Sequence, residues 1–256
     1  MIRTSLQARM KRLFTEGFIA MDIADPLYSF DADKSAAEVQ LFMKEKDLDI
    51  VGIRREGVNV GYVERQVLKR GSCSDHMHDF EKGEILPNAA HLPEVIAVLD
   101  EWKYCFITIL GSVGAVITRN DLQKPPVRMW LFGMITIVEM FLLRMLEEKF
   151  PDNTWRGQLS PARLKKAEIL REERKRRNNP AKLIDCLQFS DKAQILMKDP
   201  EMINDSGFES KKEAVRGIKD LESLRNNLAH SQDIITYNWA AIVRMSQRLE
   251  KIMTRI

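Results

Sequence analysis

Apolar side chains in the first half of the chain recur with two different periods. Val39, Phe42 and Met43 fall at helical spacing among charged residues, and the short apolar run Ile50-Val51-Gly52-Ile53 that follows suits a buried strand. The same succession returns as Val95, Val98 and Leu99, then Cys105-Phe106-Ile107-Thr108-Ile109. Ala37 through Ile53 matches Pro93 through Ile109 at a constant offset of 56, so the half contains a duplicated unit.

A turn and a second strand follow each run. The second strands are Gly61-Tyr62-Val63 and Ala115-Val116-Ile117, which makes each pair a hairpin. The first turn, Arg55 to Asn59, reads as two residues longer than the second, Leu110-Gly111-Ser112. A helix–strand–strand–helix unit repeated in tandem can cover its open sheet face with its sister copy. The cleft left between the copies is then a natural place for a ligand.

Beyond Pro125-Pro126 the strand patterns cease, and apolar residues at helical spacing alternate with charged faces to the end of the chain. Helices are expected at about 128–149, 161–178, 181–198, 210–230 and 238–254, with Ser160 as an N-cap and Pro161 at the first helical position. This places two domains at 1–126 and 127–256, the first holding repeats at about 20–70 and 80–125. The fold class is α+β: a duplicated α/β pair followed by an all-α domain.

Composition changes this picture little: 45% hydrophobic and 30% charged residues are those of a globular chain. Three scattered cysteines, Cys73, Cys105 and Cys186, suit neither a disulfide framework nor an all-thiolate zinc site, which points to a reducing, cytoplasmic setting. Met1 to Lys11 lacks the apolar core and cleavage site of a signal peptide. Met129 to Leu146 is the only membrane suspect, but Glu139 and Arg144 interrupt it, so a buried helix is expected and no membrane. Charge matters more. Residues 1–126 carry 16 basic and 19 acidic side chains, residues 127–256 carry 24 and 18, so any polyanion partner belongs with the second domain.

The second repeat ends Ala115-Val116-Ile117-Thr118-Arg119-Asn120-Asp121-Leu122, which resembles the signature closing a CBS (cystathionine-β-synthase-type) motif. The resemblance covers roughly residues 20–125 and implies a regulatory adenine nucleotide, AMP, ADP or ATP. It also implies that Thr118 and Asp121 bind ribose and phosphate, that Arg119 approaches phosphate, and that adenine rests near Ile85, Leu86 and Ile107. The first repeat departs from the signature, with Glu64 at the threonine position and Val67 at the aspartate position, so one nucleotide per pair is expected. The plainer alternative is that Thr118 and Asp121 only cap the helical turn that begins there.

Leu224-Arg225-Asn226-Asn227-Leu228-Ala229-His230 resembles the Arg-polar-x-x-x-His motif of the HEPN family, across about residues 127–256. The resemblance implies a helical bundle and, in active members, a metal-independent endoribonuclease assembled as a homodimer, often a toxin or defence nuclease. Other members are inactive binding modules, and some pair with an antitoxin or a nucleotidyltransferase partner. The residue types fit the chemistry. His230 can move the 2′-hydroxyl or leaving-group proton near neutral pH, and Arg225 can stabilise charge building on the phosphate. Asn226, one turn from His230, can orient the imidazole, whereas Arg225 lies about 140° around the helix. The alternative pairs Arg225 with Glu222 or Glu250 and leaves His230 as a C-terminal helix cap.

Three other signals carry weaker expectations. The basic run Arg163 to Arg177 can track RNA phosphates, or it can neutralise itself through Glu172 with Arg176 and Glu173 with Arg177. Cys73, Asp75, His76 and His78 read as a polar loop, since no second ligand cluster completes a metal site. Trp130, Phe132, Met134, Ile137, Phe141 and Leu142 read as core or dimer interface before cofactor groove. Together these features predict a nucleotide-regulated endoribonuclease with no catalytic metal, or alternatively a non-catalytic sensor whose helical domain docks a protein.

Overall fold

The computed structural model describes residue 9 and residues 12–206, 208–236 and 239–255, the last helix with side chains through Arg248. The expectation over Met1 to Lys11 therefore lies outside the described residues except at Arg9. The chain is mixed α+β and divides into two compact units, Thr15–Val127 and a second that joins Met1–Phe14 to Arg128–Ile256. Every described strand lies in the first unit.

That unit is a duplication. Its elements are β1 (Asp25–Pro26), β2 (Ser29–Asp31), α1 (Ala36–Glu45), β3 (Ile50–Arg55), β4 (Val58–Glu64) and β5 (His78–Asp79), then β6 (Ile85–Pro87), α2 (Leu92–Glu101), β7 (Cys105–Ile109) and β8 (Ser112–Ile117). One sheet runs β2-β3-β4-β5 and the other β1-β8-β7-β6. In each, a helix crosses over between two parallel strands, β2 to β3 or β6 to β7, and a hairpin adds the third strand. The short strand that closes the second sheet is β1, paired antiparallel with β8 from ninety residues earlier in the chain.

The two hairpins have equal turns, contrary to the sequence expectation. Glu56-Gly57 and Leu110-Gly111 both have positive φ (52° and 80°, 51° and 87°), as a two-residue hairpin turn matching the strand twist requires. A register irregularity also falls at equivalent places, Ile53/Arg54 and Ile107/Thr108. The strands therefore superpose at an offset of 54 and the helices at 56. The two extra residues of the first copy lie between helix and strand, where Asp47 takes φ 50° and Leu48 N donates to Met43 O at 2.8 Å. In the second copy Trp102 leaves the helix directly in extended conformation. Strand side chains alternate with period two, so a slip of two residues keeps every side chain on its face and leaves the apolar pattern unchanged.

Val39, Met43, Val51, Ile53, Val63 and Leu68 form the core under α1. Leu27, Ile50, Tyr104, Phe106, Val113 and Val116 form a second core drawn from both copies, with Tyr62 and Phe80 packed against it. Asn59 Nδ2 donates to Val113 O at 2.7 Å and ties β4 to β8. The buried Glu84, 2% exposed, accepts from Glu81 N at 3.0 Å, and burial pushes its carboxyl above the ordinary value of 4.5. A raised carboxyl favours the folded state on the acid side and works against it as pH rises. Glu84→Gln keeps the accepting oxygen, so the variant is expected to be more stable than wild type in urea at pH 7. That gain should vanish below pH 4.5; an equal gain at both pH values would contradict the burial argument.

The helical unit contains α3 (Pro125–Lys149, which begins in the first unit), α4 (Pro161–Arg176), α5 (Phe189–Leu196), α6 (Pro200–Asp205), α7 (Lys211–Ala229) and α8 (Trp239–Arg255). By length and composition alone α3 could cross a membrane. Val127, Trp130, Leu131, Met134, Ile135, Val138, Leu142 and Leu146 on it are nevertheless buried, while Met129, Phe132 and Met140 are exposed. The helix expected over 181–198 is broken. A 3-10 turn at Leu183–Cys186 gives way to extended Leu187-Gln188 before α5, because Asp185 and Asp191 each turn back to accept from the backbone N–H three residues earlier. The sequence reading missed α6, which Asp199 caps by accepting from Glu201 N, with Pro200 at the first helical position.

Candidate functional site

Between the two copies of the first unit lies an open cleft of about 320 Å³. Asp49, Glu64 and Gln66 line it from the first copy, Lys103, Tyr104, Thr118, Arg119 and Asn120 from the second. At the structural offset of 54, Glu64 corresponds to Thr118 and Gln66 to Asn120. The cleft thus lies where the chain leaves β4 in one copy and β8 in the other, and local duplication supplies matched positions on both walls.

Thr118 precedes a 3-10 turn at Arg119–Gln123. One oxygen of Asp121 accepts from Thr118 N at 2.6 Å and Thr118 Oγ1 at 2.8 Å. The other pairs with Lys124 Nζ at 2.8 Å. Lys124 also lies 2.6 Å from Asp25 Oδ1 and donates to Ile23 O at 2.7 Å. Burial works against its charge, but the two carboxylates outweigh burial and raise its pKa. Asp121 is 8% exposed and is not among the cleft-lining residues. Its carboxylate fixes the Thr118 rotamer and the turn. The same three-residue return recurs at Asp22, Asp75, Asp185 and Asp191, so this geometry serves structure as well as any ligand.

The apolar residues expected under the base are elsewhere. Ile107 is fully buried in β7, opposite Leu86 of β6, and Ile85 packs against the shared core. None of the three lines the cleft; Tyr104 supplies the aromatic surface there. A strand in the middle of a sheet and covered on both faces has no side chain left for a cleft, and the linear pattern does not distinguish that strand from one facing a ligand. Arg119 does reach the cleft, with Nε donating to Leu99 O at 2.9 Å. Lys103, Asn120, Glu64 and Gln66 are lining residues that sequence reasoning did not name as ligands; the signal lay in the positions flanking Thr118 and their equivalents.

In the helical unit, Arg225 and Asn226 stand on α7 and His230 is its C-cap. His230 and Asn226 are exposed. Arg225 is 43% exposed, and its Nε lies 3.9 Å from Glu139 Oε2, whose other oxygen accepts from the buried Lys192 at 3.0 Å. The Glu250 side chain lies outside the described residues. The helix ends with Ser231 at φ 53°, Gln232 N donating to Asn227 O at 2.9 Å and Ser231 N to Leu228 O at 3.3 Å. The cation at this end is Arg128, whose guanidinium donates to the carbonyls of Gln232, Asn227 and Leu228 at 3.0–3.4 Å. It, and not the imidazole, neutralises the helix terminus.

The basic run forms α4, with Ala167 its only buried side chain among the described residues. Arg163 pairs with Asp191 and Arg171 with Glu172. The expected pairs Glu172–Arg176 and Glu173–Arg177 do not occur among the ion pairs of the described residues, and both arginines are exposed. Of the suspected metal cluster, Cys73 is buried, Asp75 accepts from Ser72 N, His76 Nε2 contacts Arg70 O at 2.9 Å, and His78 lies beside the Tyr62 ring. Among the described residues no group of three His, Cys, Asp or Glu side chains is placed to hold a metal ion.

No family model matches the chain, and no curated protein matches it. Solved structures do. A hemolysin-like protein containing a CBS domain from Oenococcus oeni PSU is 14% identical, with a TM-score of 0.36 over 45% of this chain and 93% of that one. The CBS-pair protein CBSX2 from Arabidopsis thaliana is 14% identical, with a TM-score of 0.36 over 41% and 91%. The CBS domain of the bacterial CNNM/CorC family Mg2+ transporter in complex with ATP is 13% identical, with a TM-score of 0.38 over 49% and 96%.

Proposed function

We propose that the Thr15–Val127 unit is a CBS-type pair that binds one adenine nucleotide in the cleft between its copies and regulates the helical unit that follows it. The observation that carries this is the composition of the cleft: Thr118, Arg119 and Asn120, from the signature-like segment, face it together with Lys103 and the Tyr104 ring. A hydroxyl, an amide and two cations beside an aromatic surface can hold a ribose, a phosphate and a base. The degenerate first half, with Glu64 and Val67, leaves one such set per chain.

Calorimetry with AMP and ATP tests the site. Wild type is expected to bind one nucleotide per chain, and Thr118→Ala up to about tenfold more weakly, the upper end of what one hydrogen bond contributes. Asp121→Asn is expected to weaken binding too, by releasing the threonine rotamer. Unchanged affinity in Thr118→Ala would remove the cleft from consideration.

For the helical unit the reading is a metal-independent endoribonuclease of HEPN type, cytoplasmic and acting as a homodimer. His230 is its proton-transfer group, Arg225 its phosphate-stabilising group and Asn226 the orienting side chain. The exposed imidazole at the end of α7 and the cationic α4 surface support RNA as substrate. Nucleotide binding would act on this unit through the chain segment 122–130, and only if the ligand prefers one of two arrangements. A second reading, a docking module without catalysis, is favoured by the Glu139 contact of Arg225, which gives that arginine a structural partner.

A further inference from the structure

Lys103 and Glu64 face each other across the cleft, one from each copy, with Nζ 2.6 Å from Oε2. Their side chains are 61% and 22% exposed, so the pair borders the open volume. Glu64 occupies the position that in the other copy is Thr118: where one wall offers a hydroxyl, the opposite wall offers a carboxylate. The second lining carboxylate, Asp49, is already held by Arg65 at 2.7 Å. Lys103 is therefore a cleft cation whose ion-pair partner is another residue of the cleft wall.

We propose that Lys103 is a phosphate-binding residue of this cleft and that Glu64 is the internal anion a phosphate must displace from it, so that Glu64 limits the affinity for phosphate-bearing ligands. This rests on the nucleotide reading of the cleft. An ammonium group is a compact donor that can turn toward a new anion without moving the backbone. A phosphate entering beside Thr118 and Asn120 meets the Glu64 carboxylate as a like charge within a few ångströms, and that repulsion is relieved only if the carboxylate is neutral or swings away. A ligand without phosphate, such as a nucleoside, has no such conflict. Glu64 thereby distinguishes ligands by charge, and Lys103 supplies the attraction that the carboxylate otherwise occupies.

The test is a calorimetric titration of the full chain with AMP and, separately, adenosine, using wild type, Glu64→Gln, Lys103→Met and the double variant, with a thermal melt of each. Glu64→Gln, which keeps size and hydrogen bonding, is expected to bind AMP about five- to tenfold more tightly. Lys103→Met should bind AMP about tenfold more weakly, and adenosine should respond to neither change. In the double variant Glu64→Gln should still recover part of the affinity lost in Lys103→Met, because it removes the like-charge repulsion on either background. Weaker or unchanged AMP binding by Glu64→Gln would overturn the proposal while Thr118→Ala still reports on the cleft; an equal gain for adenosine would overturn it as well. Absence of AMP binding by both wild type and Glu64→Gln would overturn the nucleotide reading itself.

Discussion

Purified His230→Ala protein is expected to cleave labelled RNA about a thousandfold more slowly than wild type in EDTA, the scale of losing a general acid–base group. His230 is exposed at the C-cap of α7, and Arg128 already supplies the cation that the helix end requires, so removing the imidazole leaves the helix terminus intact. A folded but inactive variant is thus the expected outcome, with an unchanged thermal melt. Arg225→Lys keeps the charge but loses the planar fork, and should also lower the rate. Cleavage by wild type and His230→Ala alike would exclude this catalytic role. No cleavage by wild type, with or without nucleotide, would favour the docking reading, in which Glu139 holds Arg225 for structure.

The largest stability effect is expected from Phe106→Ala, a loss of about 3–5 kcal/mol in urea unfolding. Phe106 is fully buried, with its ring centroid 4.9 Å from that of Tyr62 and 4.7 Å from that of Phe80. These rings come from different copies of the duplication, so the cavity opens where the two copies join. Burial, then the nearby Glu84 and Glu64 carboxylates, push the Tyr62 phenol up to about 12. Leu110→Ala is the matched control: that leucine is wholly exposed at a hairpin tip, and its loss should change stability by no more than about 0.5 kcal/mol. A loss below about 1 kcal/mol in Phe106→Ala would mean that the copies do not depend on each other through this cluster.

Much of the local architecture was legible in the linear chain because it depends on neighbours. Helical spacing at Val39, Phe42 and Met43 marks α1, the apolar run after it marks β3, and their return half a hundred residues later marks the second copy. Ser160 stands at the N-cap position of α4, without a side-chain cap bond, and Pro161 opens the helix as its composition predicts. Thr118 is picked out only through the resemblance of its segment to the CBS signature, and it does line the cleft.

What the chain alone could not decide depends on partners distant in sequence. The offset slipped from 54 to 56 because strand periodicity is blind to a shift of two, and only the pairing of Ile107 with Ala115 and Ile53 with Gly61 sets the register. The strand Asp25–Pro26 has no strand-like pattern; its bonds to β8 make it one. Arg128 looked like one cation among many until folding brought α7's last carbonyls to it, about a hundred residues away. Ile107, expected under the base, is core, while Lys103, which the sequence pattern did not single out, pairs across the cleft with Glu64, known from the sequence only as a departure from the signature. The sequence by itself determined the periodic elements and the duplication, because those follow from side-chain spacing; the tertiary structure alone decided register, caps and the cleft wall, because those are contacts between segments that spacing does not encode.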